Sequence, residues 1–335
     1  MTMTNTNSNT QPHAIVLHQF GGPEVLQWEE RVTGAPGPGE ALLRHTAVGV
    51  NFIDVYNRTG LYPVPLPAVI GQEAAGVVVA AGAGVSLRIG ARVAYAGVLG
   101  AYAEERLITA ERLVELPDSV TDVDAAASML KGLTADMLLR RVHQVEPGQT
   151  VLFTAAAGGV GQLAVRWAKA LGATVIGTVG SEAKVAAAKA AGCDHVLLSD
   201  EAGTKDLAAR VKELTGGRGV RVAYESVGGP LLDAAIACLA PRGLIVTFGQ
   251  ASGKVPLIDT KALANGGSLF ATRPSIRHYY GTSAELHEGA TSLFAAMARG
   301  DVQATVGARF ALRDAGRAHE ALQGRGTTGA TVLLP

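Results

Sequence analysis

Only two cysteines, Cys193 and Cys238, occur in 335 residues, and neither belongs to a Cys-x-x-Cys pair. That scarcity argues against a disulfide framework or a structural zinc site. Net charge is missing as well, because 29 lysines and arginines balance 29 aspartates and glutamates. Without bulk charge the chain has no long-range attraction for nucleic acid or an anionic membrane. No run of about 18 apolar residues occurs, so no membrane-spanning helix is predicted. The opening residues, Met1 to Thr10, lack the basic and apolar regions of a secretory signal. We expect a polar, disordered leader over residues 1–13 and a cytoplasmic protein. Beyond that leader there is no internal repeat or low-complexity segment.

What is present is 48% hydrophobic residues, enough for two domains of ordinary size. The chain is organised around Val151 to Ala164. There a short apolar run breaks into alanines and glycines, then resumes with Val160, Ala164, Trp167 and Leu171 at helical spacing. The pattern reads as strand, tight turn and helix. Within it, Ala156-x-Gly158-x-x-Gly161 is a dinucleotide fingerprint with alanine for the first glycine. Small residues there let the backbone approach a pyrophosphate, which the amides at a helix N-terminus attract. We therefore read these glycines as phosphate contacts.

Strand-like and helix-like segments alternate afterwards. Strands are predicted at Ala173–Val179, His195–Leu198, Val220–Glu225, Leu244–Phe248 and Ser268–Thr272. Helices are predicted at Glu182–Ala191, Lys205–Leu214 and Leu231–Leu239. This spacing implies a doubly wound α/β domain with a parallel sheet. Upstream, from Ala14 to about Ile108, glycine-punctuated short strands suggest a small, strongly bent barrel. Helical texture runs from near Asp122 to Val142. After Arg273-Pro274 the tail offers a helix near Glu285–Arg299, a strand at Arg309-Phe310, a helix over Asp314–Leu322 and a strand at Ala330–Leu334.

Within the barrel region one stretch, Gly49 to Tyr62, is conspicuously polar. Asn51, Asp54, Tyr56 and Tyr62 bring amide, carboxylate and phenol groups together, which suits a site that holds and polarises a carbonyl. Taken bare, Asn51 also reads as a turn residue, Asp54 as a helix cap and the tyrosines as packing with a wet hydroxyl.

Asn-Phe-Ile-Asp at 51–54, Arg-x-Gly-Leu-Tyr at 58–62, Leu-Lys-Gly-Leu-Thr at 130–134 and Ala-Ala-Ala-Gly-Gly-Val-Gly at 155–161 together carry a resemblance. With Tyr224 to Gly228, Phe248-Gly249 and Thr272 to Pro274, the chain resembles the zeta-crystallin-like NADPH:quinone oxidoreductases of the medium-chain dehydrogenase/reductase superfamily, over residues 14–335. The resemblance implies a GroES-like barrel over 14–128, completed by 273–335, and a Rossmann NADPH-binding domain over 129–272. It also implies quinone reduction, a homodimer, and Asn51, Asp54, Tyr56 and Tyr62 as catalytic residues. As cofactor contacts it implies Asn51, Lys131 and Thr134, then Ala157, Gly158, Gly159 and Val160. Ser226, Phe248, Gly249 and Arg273 complete the nicotinamide side. An enone or alkenal reductase, or an NADPH-binding protein with little turnover, remains an alternative.

Zinc alcohol dehydrogenases of the superfamily carry Gly-His-Glu where this chain has Gly71-Gln72-Glu73. Glutamine is a poor zinc ligand, so no metal is expected and hydrogen-bond donors must polarise the substrate. The second strand ends in Gly180-Ser181 with no carboxylate. A carboxylate there would repel a 2′-phosphate by about 4 kcal/mol at 4 Å and an effective dielectric near 20. Its absence favours NADPH, and the family places Gly180, Ser181, Lys184 and an arginine matching Arg325 at that phosphate. Ser199 stands where relatives often have tyrosine, and Glu182 adds a negative charge nearby.

Overall fold

A computed structural model describes residues 11–253, 257–324 and 326–335. The expected phosphate contact Arg325 and most of the expected leader, residues 1–10, lie outside the described residues. His13 is not part of a leader. It opens the strand His13–Leu17, donates its backbone N–H to Glu104 at 2.7 Å and stacks its ring on Trp28.

Six parallel strands form one sheet in the order His195–Leu198, Thr174–Val179, Thr150–Phe153, Val220–Glu225, Leu239–Thr247, Phe270–Thr272. In chain order that is 3-2-1-4-5-6, the Rossmann arrangement. Val151, Leu152 and Phe153 are buried because helices cover both faces of a parallel sheet. The strand order reverses between Thr150–Phe153 and Val220–Glu225, which opens a crevice at their C-terminal ends.

The second architecture is a bent, mainly antiparallel sheet of seven strands. Glu40–Val50 is its spine, paired with Glu73–Ala81, Glu105–Thr109 and the final strand Ala330–Leu334. Bulges at Leu42/Leu43 and His45/Ala47 bend the spine. Gly76 permits the close approach, since a Cβ there would lie 2.3 Å from the Arg44 carbonyl oxygen. The tail thus pairs back onto the N-terminal part of the chain.

Three helices position the site. Helix α1 (Phe52–Thr59) lies in the polar stretch within the barrel region. The Asp54 carboxylate accepts the Asn51 backbone N–H at 2.8 Å at its start, and Gly60 ends it at φ +78°. Helix α2 (Asp122–Asp136) begins with Thr121 accepting the Asp124 N–H, and runs unbroken through the expected domain division at 128/129. It packs on the barrel strands and on helix α3 (Gly159–Ala170). Beyond α2 the helix widens to a π-turn over Met137–Val142, where the Tyr224 hydroxyl donates to the Leu138 carbonyl; the Tyr280 hydroxyl donates to the Leu133 carbonyl in the last turn of α2.

Candidate active site

The C-terminal ends of the parallel strands open on a cleft of about 1210 Å³, closed opposite by α1 and α2. At its centre is the turn from Phe153 into α3. Ala155 adopts φ +51° and its carbonyl accepts the Gly158 N–H at 2.9 Å, which folds the chain back over the strand end. No side chain caps α3, so its first amides, at Gly159 and Val160, face the cleft. The Ala157 carbonyl is taken by the Gln162 side chain at 2.9 Å and by the Gly329 N–H at 3.0 Å. The returning tail therefore braces this turn, and Gly329 and Thr331 join the cleft wall.

Gly180, Ser181, Lys184 and Ser199 line one end of the cleft. Glu182 is exposed and does not line it. Asp200, Glu201 and Lys205 do, with Lys205 paired to Glu201 at 2.8 Å. Nothing lies within 4 Å of a Cβ built at Gly180. Ser226, Phe248 and Gly249 occupy the ends of the fourth and fifth strands along the same wall. Thr134 also reaches the cleft, its hydroxyl donating back to the Leu130 carbonyl at 2.8 Å.

At the other end stand Asn51, Tyr56 and Tyr62. The Tyr56 hydroxyl accepts the Gln250 N–H at 3.1 Å, and burial pushes its pKa up to about 12. The Tyr62 hydroxyl accepts from Arg273 at 3.0 Å, and the two rings meet edge to face at 5.4 Å. Arg273 also donates to the Gln250 side chain at 2.7 Å, so it straps α1's loop to the nucleotide half. Asn51 gives its amide NH₂ to Glu73 at 2.9 Å, and Lys131 gives its ammonium to the same Glu73 oxygen at 2.6 Å.

Asp54 is not with them. It is fully buried, does not line the cleft, and accepts from the Asn51 N–H and, at 3.2 Å, from the Tyr102 hydroxyl. The helix-cap reading of Asp54 is therefore the one the geometry takes. Burial raises its pKa from an ordinary 3.8 to about 7, against the hydrogen bond from Asn51 and the charge of Lys131. Between those values the folded carboxyl holds a proton that the unfolded one has lost. Stability thus falls as pH rises from about 4 to 7 and stays lower above that. Asp54→Asn should flatten this dependence: melting curves at about pH 5 and pH 8 should differ less for the variant than for the wild type. Parallel shifts in both would mean that Asp54 is ionised in the fold.

Comparison with known proteins fits this arrangement. The alcohol dehydrogenase GroES-like domain family matches residues 37–118, and the zinc-binding dehydrogenase family matches residues 159–296. The quinone oxidoreductase of Salmonella typhimurium is 48% identical over 326 residues, covering 96% of this chain and 99% of its own. The crystal structure of Escherichia coli quinone oxidoreductase complexed with NADPH superposes with a TM-score of 0.92 at 44% identity, over 96% of this chain and all of that one. The chain belongs to the quinone oxidoreductases of the medium-chain dehydrogenase/reductase superfamily. A 2-haloacrylate reductase from Burkholderia is 46% identical over 332 residues, 96% of this chain and 98% of its own.

In this quinone oxidoreductase family member the zinc of the matched family name does not fit the side chains present. Among the described residues no three His, Cys, Asp or Glu side chains stand close enough to hold a metal ion. Gln72 donates its amide to Asn57 at 3.0 Å, and Glu73 is engaged by Lys131. Sequence reasoning missed Glu73 as an organiser, along with Gln250, Lys205 and Gly329. The partners of Glu73, Gln250 and Gly329 lie far away in the chain, so no local spacing marks them; Lys205 pairs locally with Glu201, and that spacing reads as an ordinary helix-surface pair.

Proposed function

We propose that this chain reduces quinones with NADPH in the cleft between its two sheets. One observation carries the reading. Tyr56 and Tyr62 each accept a hydrogen bond from a protein N–H, which leaves both phenolic protons to be donated into the cleft. Two donors on one wall suit a carbonyl oxygen. A quinone is already electron-poor and needs no stronger activation.

The residues fit a dinucleotide. The uncapped amides of α3 suit a pyrophosphate, with Gly158, Gly159, Val160 and the shape of Ala157 beneath it. Gly180, Ser181, Lys184 and Ser199 suit a 2′-phosphate. Ser226, Phe248, Gly249, Thr134, Lys131 and Arg273 bound the nicotinamide end. NADPH, when bound, would supply the reducing equivalents. The chain's own part is to hold the acceptor's oxygen at Tyr56 and Tyr62 and to exclude water with Phe52 and Ile276. Asp54 acts as a positioning residue, fixing the start of α1. On this reading the units are the barrel, 14–128 with 273–335, and the nucleotide domain, 129–272.

We also propose a homodimer, as the family resemblance implies. The parallel sheet ends on Phe270–Thr272, which has one strand neighbour among the described residues, and Phe270 is 61% exposed. A sedimentation mass of about 34.3 kDa would sink it.

The activity test is NADPH oxidation followed with 1,4-benzoquinone, 9,10-phenanthrenequinone or 2-chloroacrylate, with NADH and EDTA as parallel arms. Quinone-dependent oxidation that prefers NADPH and ignores EDTA is expected. Turnover of the acrylate alone would favour the enone or alkenal reductase alternative, with a substrate like that in the Burkholderia relative's name. Binding without turnover on any acceptor would favour a non-catalytic role.

A further inference from the structure

Glu73 has no exposed surface and does not line the cleft, yet its carboxylate holds two side chains that do. One oxygen accepts from Lys131 Nζ at 2.6 Å and from Asn51 Nδ2 at 2.9 Å, and the other accepts the Leu130 backbone N–H at 2.6 Å. Three elements converge on it: the end of the barrel's spine strand, its own strand Glu73–Ala81, and α2. Space for it comes from Gly49, where a Cβ would stand 2.2 Å from the carboxylate and 2.2 Å from the Ala126 carbonyl oxygen. A buried carboxylate with both oxygens engaged is a rigid anchor.

An amide NH₂ carries two protons and an ammonium three. Asn51 and Lys131 each give one to Glu73, and the rest can serve an oxygen in the cleft. We propose that Glu73 is a positioning residue for the nicotinamide end of the cofactor, acting through Asn51 and Lys131. This rests on the NADPH reading above. Removing the negative charge leaves the Lys131 ammonium unpaired and the Asn51 amide free to turn. Both donors then leave the geometry that a bound carboxamide or ribose oxygen needs. The adenosine end, at Gly180, Ser181 and Lys184, takes none of the hydrogen bonds that Glu73 accepts and should be unaffected.

The test uses two ligands on the full chain: NADPH, and adenosine 2′,5′-bisphosphate, which carries the phosphate end without nicotinamide. Dissociation constants come from fluorescence titration, and thermal melting is recorded without ligand. Glu73→Gln should weaken NADPH by about tenfold to a hundredfold, the value of one or two hydrogen bonds to charged groups. The bisphosphate should stay within about twofold of wild type. Should Glu73→Gln fold poorly because of the unpaired ammonium, the pair Glu73→Gln/Lys131→Met removes that charge and should bind NADPH several-fold more weakly than Lys131→Met alone, with the bisphosphate unchanged; equal NADPH affinity in the two also overturns the proposal. NADPH affinity within about twofold of wild type overturns the proposal. So does an equal loss of both ligands, which marks a merely structural carboxylate. Failure of the wild type to bind either ligand would instead count against the NADPH reading itself, and with it the proposal.

Discussion

Tyr56→Phe should lower quinone turnover by about 100- to 1000-fold, the usual effect of deleting a donor to a developing oxyanion. The hydroxyl is held at one point, because it accepts the Gln250 N–H and its ring is buried between Phe52 and Tyr62. With its pKa at about 12 it stays protonated through the working range, so it acts as a donor and not as a base. The pH profile of the wild type should accordingly show no loss that can be assigned to this phenol below about pH 11. NADPH affinity should change little, which separates the phenol's role from that of Glu73. Stability should fall modestly, by about 1–3 kcal/mol, because the Gln250 N–H loses its acceptor. Tyr62 is 36% exposed and tied to Arg273, so Tyr62→Phe should cost less. If Tyr56→Phe and Asn51→Ala both keep turnover within about threefold of wild type, the donor wall is not where the carbonyl binds.

Much of the fold was legible because buried strands carry their own signature. Val220–Glu225 and Ala330–Leu334 form as the apolar runs predict, residue for residue. Covered on both faces or pinned in the barrel, such runs need no tertiary information to be recognised. Edges drift where the signal is shared. Leu239–Thr247 starts five residues before the predicted Leu244, since Pro241 and Gly243 hide a bulged strand. Helix α1 was legible only through Asp54 as a helix cap: Phe52, Val55 and Tyr56 stand at helical spacing, but eight residues closed by Gly60 are too short a run to announce a helix inside a region of strands. The site divides the same way. The turn of Ala155 to Gly161 is local, and the sequence motif places it. The Glu73 anchor, by contrast, draws partners from 22 and 58 residues away, and Arg273 reaches Tyr62 across 211 residues. Read in the sequence, Glu73 belongs only to a question about zinc. Its true partners are visible only once the strand, the spine and α2 are packed together.

Gly161 of the fingerprint and Gly180 at the end of the second strand need not share one role, and a substitution at each distinguishes them. A Cβ at Gly161 would stand 2.3 Å from the Ala155 carbonyl oxygen and 2.8 Å from Ala156 backbone atoms. These are backbone atoms of the turn, which cannot swing aside as a side chain can. Gly161→Ala must therefore push α3 off the strand end, costing about 3 kcal/mol in urea unfolding, the upper range for overpacking. Because the same shift moves the amides at Gly159 and Val160, NADPH binding should weaken together with stability. Gly180 is the contrast: a Cβ there meets nothing within 4 Å, so Gly180→Ala should fold as the wild type does. Its added methyl projects where the cofactor's adenosine end is proposed to lie, and binding should weaken with no change in melting. A Gly161→Ala protein with wild-type stability would return that glycine to the role of a simple phosphate contact. A Gly180→Ala protein with wild-type NADPH affinity would remove Gly180 from the cofactor site and leave Ser181, Lys184 and Ser199, among the described residues, for the 2′-phosphate.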